Sequence, residues 1–140
     1  MHAEANRFSR ELSRYFDSCF EGEKLAAPYA ELMLTLKESG EVGQTELAER
    51  HHLAPSTITR FLAKLEKRGW VEKKASGRMV QAGLTAEGLR KAEELEKIYQ
   101  KALSGLQEIL GRKYVETLKP LLHHGSQLMA DAAAGKEGQS

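Results

Sequence analysis

A mostly α-helical chain, interrupted once by a small two- to three-stranded β ribbon, is what the sequence predicts. Three observations lead there. Apolar residues recur every three or four positions over most of the 140 residues, the spacing of a helix face. Only "WVEKK" and "MVQAGL" break that rhythm, and "ASGR" joins them as a hairpin connection would. Two short helical stretches, "QTELAERHHL" and "PSTITRFLAKLEKRG", stand just before the ribbon. Helix, tight turn, helix and ribbon in that order make a winged helix-turn-helix, with further helices on either side.

Each element has its own signal. In "EANRFSRELSRYFDSCF", Phe8, Leu12, Phe16 and Cys19 fall on one helix face, over residues 4–20. Pro28 sits where a helix can start, and Tyr29, Leu32, Met33 and Leu36 follow at helical spacing until Gly40 offers a stop. The short helix "QTELAERHHL" buries Leu47 and Ala48, and Leu53 plugs the turn after it. The next helix starts with Pro55 at its first position and ends at Gly69. Ala54, at its N-cap, is a poor capping residue. After the ribbon, Thr85 is a good N-cap, and a helix over Ala86 to Leu110 would run roughly 38 Å before Gly111 ends it. Tyr114, Val115, Leu118, Leu121, Leu122 and Leu128 continue the pattern, with a kink or break expected near Lys119 because Pro120 follows it. The sequence thus reads as one domain over 1–140: a winged-helix lobe at 29–84, flanking helices at 4–20 and 86–133, and a disordered tail at 134–140.

Composition narrows the function classes. The chain is 41% hydrophobic and 29% charged, ordinary for a globular protein. No apolar run approaches the roughly 20 residues of a membrane span, and the N-terminus has no apolar signal core, so a cytoplasmic protein without a membrane partner is expected. The single cysteine, Cys19, cannot close an intramolecular disulfide. No phosphate-cradling Gly loop, HExxH or GxSxG is present, which argues against an enzyme, and no cofactor is expected.

Charge is placed unevenly. Between Ser56 and Arg78 seven basic residues face two acidic ones, a net +5 in a chain of formal charge +1, so the remainder carries −4. One basic segment in a near-neutral protein suggests a localised anionic partner, although a solvated surface has the same composition. On the helix from Pro55, Ile58, Phe61, Leu62 and Leu65 fall within an arc of about 100° that must pack inward. Ser56, Thr59, Arg60, Ala63, Lys64 and Lys67 lie opposite, with Thr57 on the flank. Small hydroxylated residues near the start let a backbone approach base edges. Arg60 can reach a guanine, and Lys64 and Lys67 stand where phosphates would pass. Lys67 and Arg68 could instead merely complement the helix dipole. Arg78, in the connection between the strands, is placed as a wing tip that could enter a minor groove, and Lys73 and Lys74 offer phosphate contacts.

The segment "LKESGEVGQTELAERHHLAPSTITRFLAKLEKRGWVEKK" and the later "LTAEGLRKAEEL" resemble the MarR-type winged-helix transcriptional regulators. "QTELAER", "STITRFLAKLEKRGWVE" and "LTAEG" match in type, order and spacing. The resemblance implies a homodimer with interlocked terminal helices, a sequence-specific regulator (a repressor) bound to pseudo-palindromic double-stranded DNA, and release by a small-molecule effector. It puts Thr45 on the first helix of the helix-turn-helix. It places an effector pocket between the dimer helices and the DNA-binding lobe, where Phe16, Phe20, Tyr29 and Met33 are candidates, each equally readable as core. The wing departs from the family pattern: in "ASGR" only Arg78 matches the usual Asp-x-Arg-Arg-like stretch.

A dimer also follows from the apolar stripes of the first and last helices, which exceed what a small winged-helix core can cover. A sensor role is not expected of Cys19, which has Asp17 and Glu21 beside it. Nor is a metal expected at His51–His52 or His123–His124, whose neighbouring rings point about 100° apart on a helix. A winged helix used only for protein contact is the competing reading.

Overall fold

The computed structural model describes residues 1–137. In chain order its elements are α1 (His2–Cys19), a 3-10 turn (Glu21–Glu23), α2 (Ala27–Ser39), β1 (Val42–Gly43), α3 (Gln44–His51), α4 (Pro55–Lys67), β2 (Val71–Ser76), β3 (Met79–Leu84), α5 (Ala86–Leu110) and α6 (Arg112–Glu137). Two compact units divide the chain after Gln100, within α5.

The first unit holds the core. Leu32, Met33 and Leu36 of α2, Leu47 of α3, and Ile58, Leu62 and Leu65 of α4 are almost fully buried together with Phe20, Val71, Ala92 and Leu95. The inward stripe of α4 is therefore the one its spacing predicts, with Phe61 half-buried at its edge. Burying one such Leu or Ile side chain contributes about 1.5–3 kcal/mol.

The end of α4 sets the direction of the ribbon. Gly69 takes φ 79°. Its N–H donates to the Glu66 carbonyl at 2.9 Å and that of Trp70 to the Leu65 carbonyl at 3.1 Å, the paired bonds of a Schellman stop. The chain then enters β2 directly. Thr85 ties the far end of the ribbon back: its hydroxyl donates to the Gly69 carbonyl at 2.6 Å and accepts the Gly88 N–H at 3.0 Å, capping α5. Gly88 itself is required by contact, since a Cβ there would lie 1.9 Å from the Trp70 carbonyl oxygen. This is a physical reason for glycine at the end of "LTAEG".

The sheet is antiparallel in the order β1-β3-β2. Val42 pairs with Ala82, and β2 pairs with β3 from Val71↔Leu84 to Ser76↔Met79. The wing is thus three-stranded. Its hairpin is longer than the two short strand candidates suggest, because Ala75 and Ser76 belong to β2 rather than to the connection. Gly77 and Arg78 alone form the turn, and Gly77 supplies φ 63°, the positive value that a II′ turn needs at its first central position.

In the second unit no break occurs at Pro120, and α6 continues through it. Pro120 removes one N–H, but Glu116, whose carbonyl loses that bond, is exposed, so water can replace it. The expected tail from 134 is also corrected. Ala132, Ala133 and Ala134 are strong helix formers, and α6 runs to Glu137. Residues 138–140 lie outside the described residues. Exposed apolar side chains gather here: Ile109 at the end of α5, and Tyr114, Leu121, Leu122, Leu128 and Met129 on α6.

Candidate nucleic-acid interface

The outer side of α4 carries the residues that the sequence places there. Ser56, Thr59, Arg60, Ala63, Lys64 and Lys67 are exposed, and Thr57 is half-buried on the flank. Arg60 and Lys67 make no ion pair with any described residue. Thr59 Oγ1 donates to the Pro55 carbonyl at 3.0 Å, so its hydroxyl faces outward only as an acceptor. Ala54 leaves the start of α4 without a side-chain cap, and its positive end stays uncompensated.

Lys64 departs from a purely outward placement. Its Nζ lies 4.8 Å from the centroid of the Tyr29 ring, which stacks on Phe61 at 4.1 Å and 24°. Tyr29 therefore belongs with α4 and steers the lysine toward the first turn of α2. Arg68 has a structural task, donating to the Lys24 carbonyl at 3.1 Å and lying 5.1 Å from the Trp70 ring.

The wing cations differ from those of α4. Arg78 stands exposed at the turn without an ion pair to a described residue. Lys74 Nζ lies 2.9 Å from Glu41 Oε1 and 3.9 Å from Glu72 Oε1. The hydrogen bond to Glu41 holds the Lys74 ammonium pKa above its usual value. Lys73 Nζ lies 3.9 Å from Glu66 Oε1. Both wing lysines thus have carboxylate partners that sequence reasoning missed. Thr45 is exposed in the first turn of α3.

Among the described residues the four effector-pocket candidates have different surroundings. Phe20 and Met33 are fully buried core, and Tyr29 is committed to Phe61. Phe16 alone borders an open groove, with Leu12, Asp17, Ala27, Pro28 and Glu31, of about 230 Å³. The reason is periodicity: aromatic residues at helical spacing fill the helix contacts first. Beside this groove, burial and then the Asp17 charge push the Glu31 carboxyl above its ordinary range. Burial and then Glu31 raise the Tyr99 phenol, whose ring stacks on Phe16 at 5.9 Å.

Other titratable groups have local roles. A hydrogen bond of 3.0 Å joins His51 Nε2 to Thr35 Oγ1, tying α3 to α2. Burial, then Arg50 and His52, lower the His51 pKa. His52 adopts φ 53° in the turn between α3 and α4, a conformation histidine tolerates better than most residues. Cys19 is a half-buried free thiol against the core. Among the described residues no helix is long and apolar enough to cross a membrane.

Comparison with known proteins agrees with this geometry. The sequence model of the MarR family matches residues 26–78, the span from the start of α2 to the wing tip. The match is confined to this lobe, 53 of the 140 residues. No curated relative matches the sequence. Among solved structures, NadR in complex with 4-hydroxyphenylacetate is similar at 24% identity and TM-score 0.77, covering 94% of this chain and 98% of that one. A mutant of MarR from E. coli complexed with operator DNA is similar at 20% identity and TM-score 0.77, covering 88% and 91%. The transcriptional regulator PA4135 is similar at 22% identity and TM-score 0.76, covering 89% and 95%. At these identities the likeness is one of fold, the winged-helix fold of the MarR-type structures.

Proposed function

We propose that this protein is a MarR-type, sequence-specific regulator of transcription that binds double-stranded DNA as a homodimer. One observation carries the reading. The apolar stripe of α4 is sealed in the core while its opposite side presents Arg60 and Lys67, unpaired among the described residues, beyond small hydroxylated residues. That side fits a major groove: Ser56, Thr57 and Thr59 allow close approach, Arg60 reads a base edge, and Lys64 and Lys67 meet phosphates. Arg78 at the wing tip is the candidate for the neighbouring minor groove, with Thr45 at the backbone beside α3. The operator DNA bound by the E. coli relative supports the same use of this fold.

Pairing of two copies follows from Ile109, Tyr114, Leu121, Leu122, Leu128 and Met129, large apolar side chains exposed on the end of α5 and on α6. A two-fold partner covers them and sets two recognition helices on one duplex. We place the protein in the cytoplasm, assign it no catalytic role, and read repression as the direct consequence of occupying promoter DNA. The open groove bordered by Phe16 and Glu31 is the region for a small effector, in line with the 4-hydroxyphenylacetate held by NadR.

Selection of bound fragments from a random duplex pool by the purified protein tests this. The expected product is a two-fold sequence whose half-sites lie about one helical turn apart, near 34 Å. Enrichment of no sequence, with no retention of DNA even at low salt, would leave a protein-contact module as the better reading.

A further inference from the structure

Resting on the reading of α4 as the DNA-facing helix, we propose that Glu41 is a specificity-determining residue: by pairing Lys74 within the protein it withholds a wing cation from phosphates and suppresses binding to DNA of arbitrary sequence. Glu66 acts in the same way on Lys73.

The pairing is built into the fold. Glu41 precedes β1 and lies outside the hairpin, yet its carboxylate reaches Lys74 at 2.9 Å, and Glu72 adds a second one at 3.9 Å. Its backbone is fixed between Gly40, at φ 73°, and Val42, which is buried and paired with Ala82. Its stem rests on β3, where a Cβ on Gly83 would come within 3.2 Å of Glu41 Cγ. Around the wing, Lys73 and Lys74 thus meet Glu41, Glu66 and Glu72, two cations against three anions, while Arg78 meets none among the described residues. On α4, Arg60 and Lys67 meet none among the described residues.

Sequence-independent affinity comes from cations that displace counterions along the phosphates. On random DNA a free wing lysine can slide to its best phosphate, whereas on a preferred site the base contacts of α4 fix which phosphates it can reach. Neutralising the wing therefore weakens random binding more than specific binding. It widens the ratio that decides occupancy among many competing sites. Each pair is exposed, so the restraint is graded rather than absolute.

The test compares the full-length protein with Glu41→Gln, Lys74→Gln and the double variant on a random-sequence duplex and on a selected duplex, across a salt series. Glu41→Gln should tighten random binding by about two- to fivefold. It should steepen the log–log salt slope by up to about 0.9, with a smaller gain on the selected duplex. In the Lys74→Gln background Glu41→Gln should give no gain, because it acts through that lysine. An unchanged random affinity, a gain confined to the selected duplex, or an equal gain with and without Lys74 would overturn the proposal. Should Glu41→Gln not fold, Glu66→Gln with Lys73→Gln makes the same comparison. Loss of the proposal alone is recognised when wild type binds DNA and needs Arg60 but Glu41→Gln changes nothing. Failure of wild type to bind any duplex sinks this proposal and the DNA-binding reading together.

Discussion

Arg60 and Lys67 leave α4 with no carboxylate beside them among the described residues, whereas Lys73 and Lys74, a few positions on in β2, each meet one within 4 Å. Both stretches look equally basic in the sequence. The difference lies in what the fold brings alongside. On the outer side of α4 the fold brings up no carboxylate to Arg60 or Lys67 among the described residues, and Lys64 meets the Tyr29 ring of α2. The wing folds back beside the segment before β1 and the end of α4, and both supply glutamates. Charge in a sequence is therefore not yet charge available to a partner.

The comparison can be broken at its base by removing what anchors the helix. Leu62 is fully buried on the inner side of α4. Leu62→Ala should cost about 2–5 kcal/mol of stability, seen as a lower midpoint in chemical denaturation. Met79, 58% exposed beside the wing turn, should tolerate alanine within about 0.5 kcal/mol in the same measurement. Equal losses at the two positions would mean that the wing is packed as the helix is.

Gly88→Ala should act on the junction of the two regions. Its Cβ would collide with the Trp70 carbonyl, so the start of α5 must move away from the strand. A loss of about 1–3 kcal/mol is expected in thermal unfolding, and a neutral result would contradict the close approach.

Phosphate contacts sharpen the contrast more gently. Lys67→Gln should reduce the log–log salt slope of DNA binding by about 0.9, one phosphate contact. Lys74→Gln should reduce it by much less, because Glu41 already holds that ammonium. Fluorescence anisotropy over a salt series separates the two, and equal slopes would remove the distinction between α4 and the wing.

The smallest effect concerns the turn before α4. The His51 pKa lies below 6.5 in the folded protein, chiefly through burial. The unfolded chain then binds more protons below about pH 6.5. The stability contributed by the neutral ring is present above that pH and is lost as pH falls below it. Thermal midpoints taken from pH 7 downward should decline less steeply in His51→Gln than in wild type, and identical slopes would show that the ring titrates as it does in the unfolded chain.

These contrasts also mark what the sequence could show. The bounds of α5, Ala86 to Leu110, were legible because Thr85 and Gly111 are local signals on either side. The buried stripe of α4 was legible because it is a matter of angle along one helix. β1 has two residues, and its reason for existing is Ala82 and Gln81 on another strand. The Glu41–Lys74 pair spans 33 positions, and no local pattern announces it. Phe20 and Met33 could be read as pocket or core from spacing alone, and only packing decides for core. Pro120 reads as a breaker by its chemistry, yet exposure of the surrounding turn makes its lost hydrogen bond cheap to replace with water.

The central claim is that the outer side of α4 reads DNA, and Arg60→Ala tests it most directly. Affinities of wild type and variant for the selected duplex and for a random one, at one fixed salt concentration, should show a loss of about 1–3 kcal/mol on the selected duplex with base preference relaxed. Unchanged affinity and unchanged preference in Arg60→Ala would contradict it.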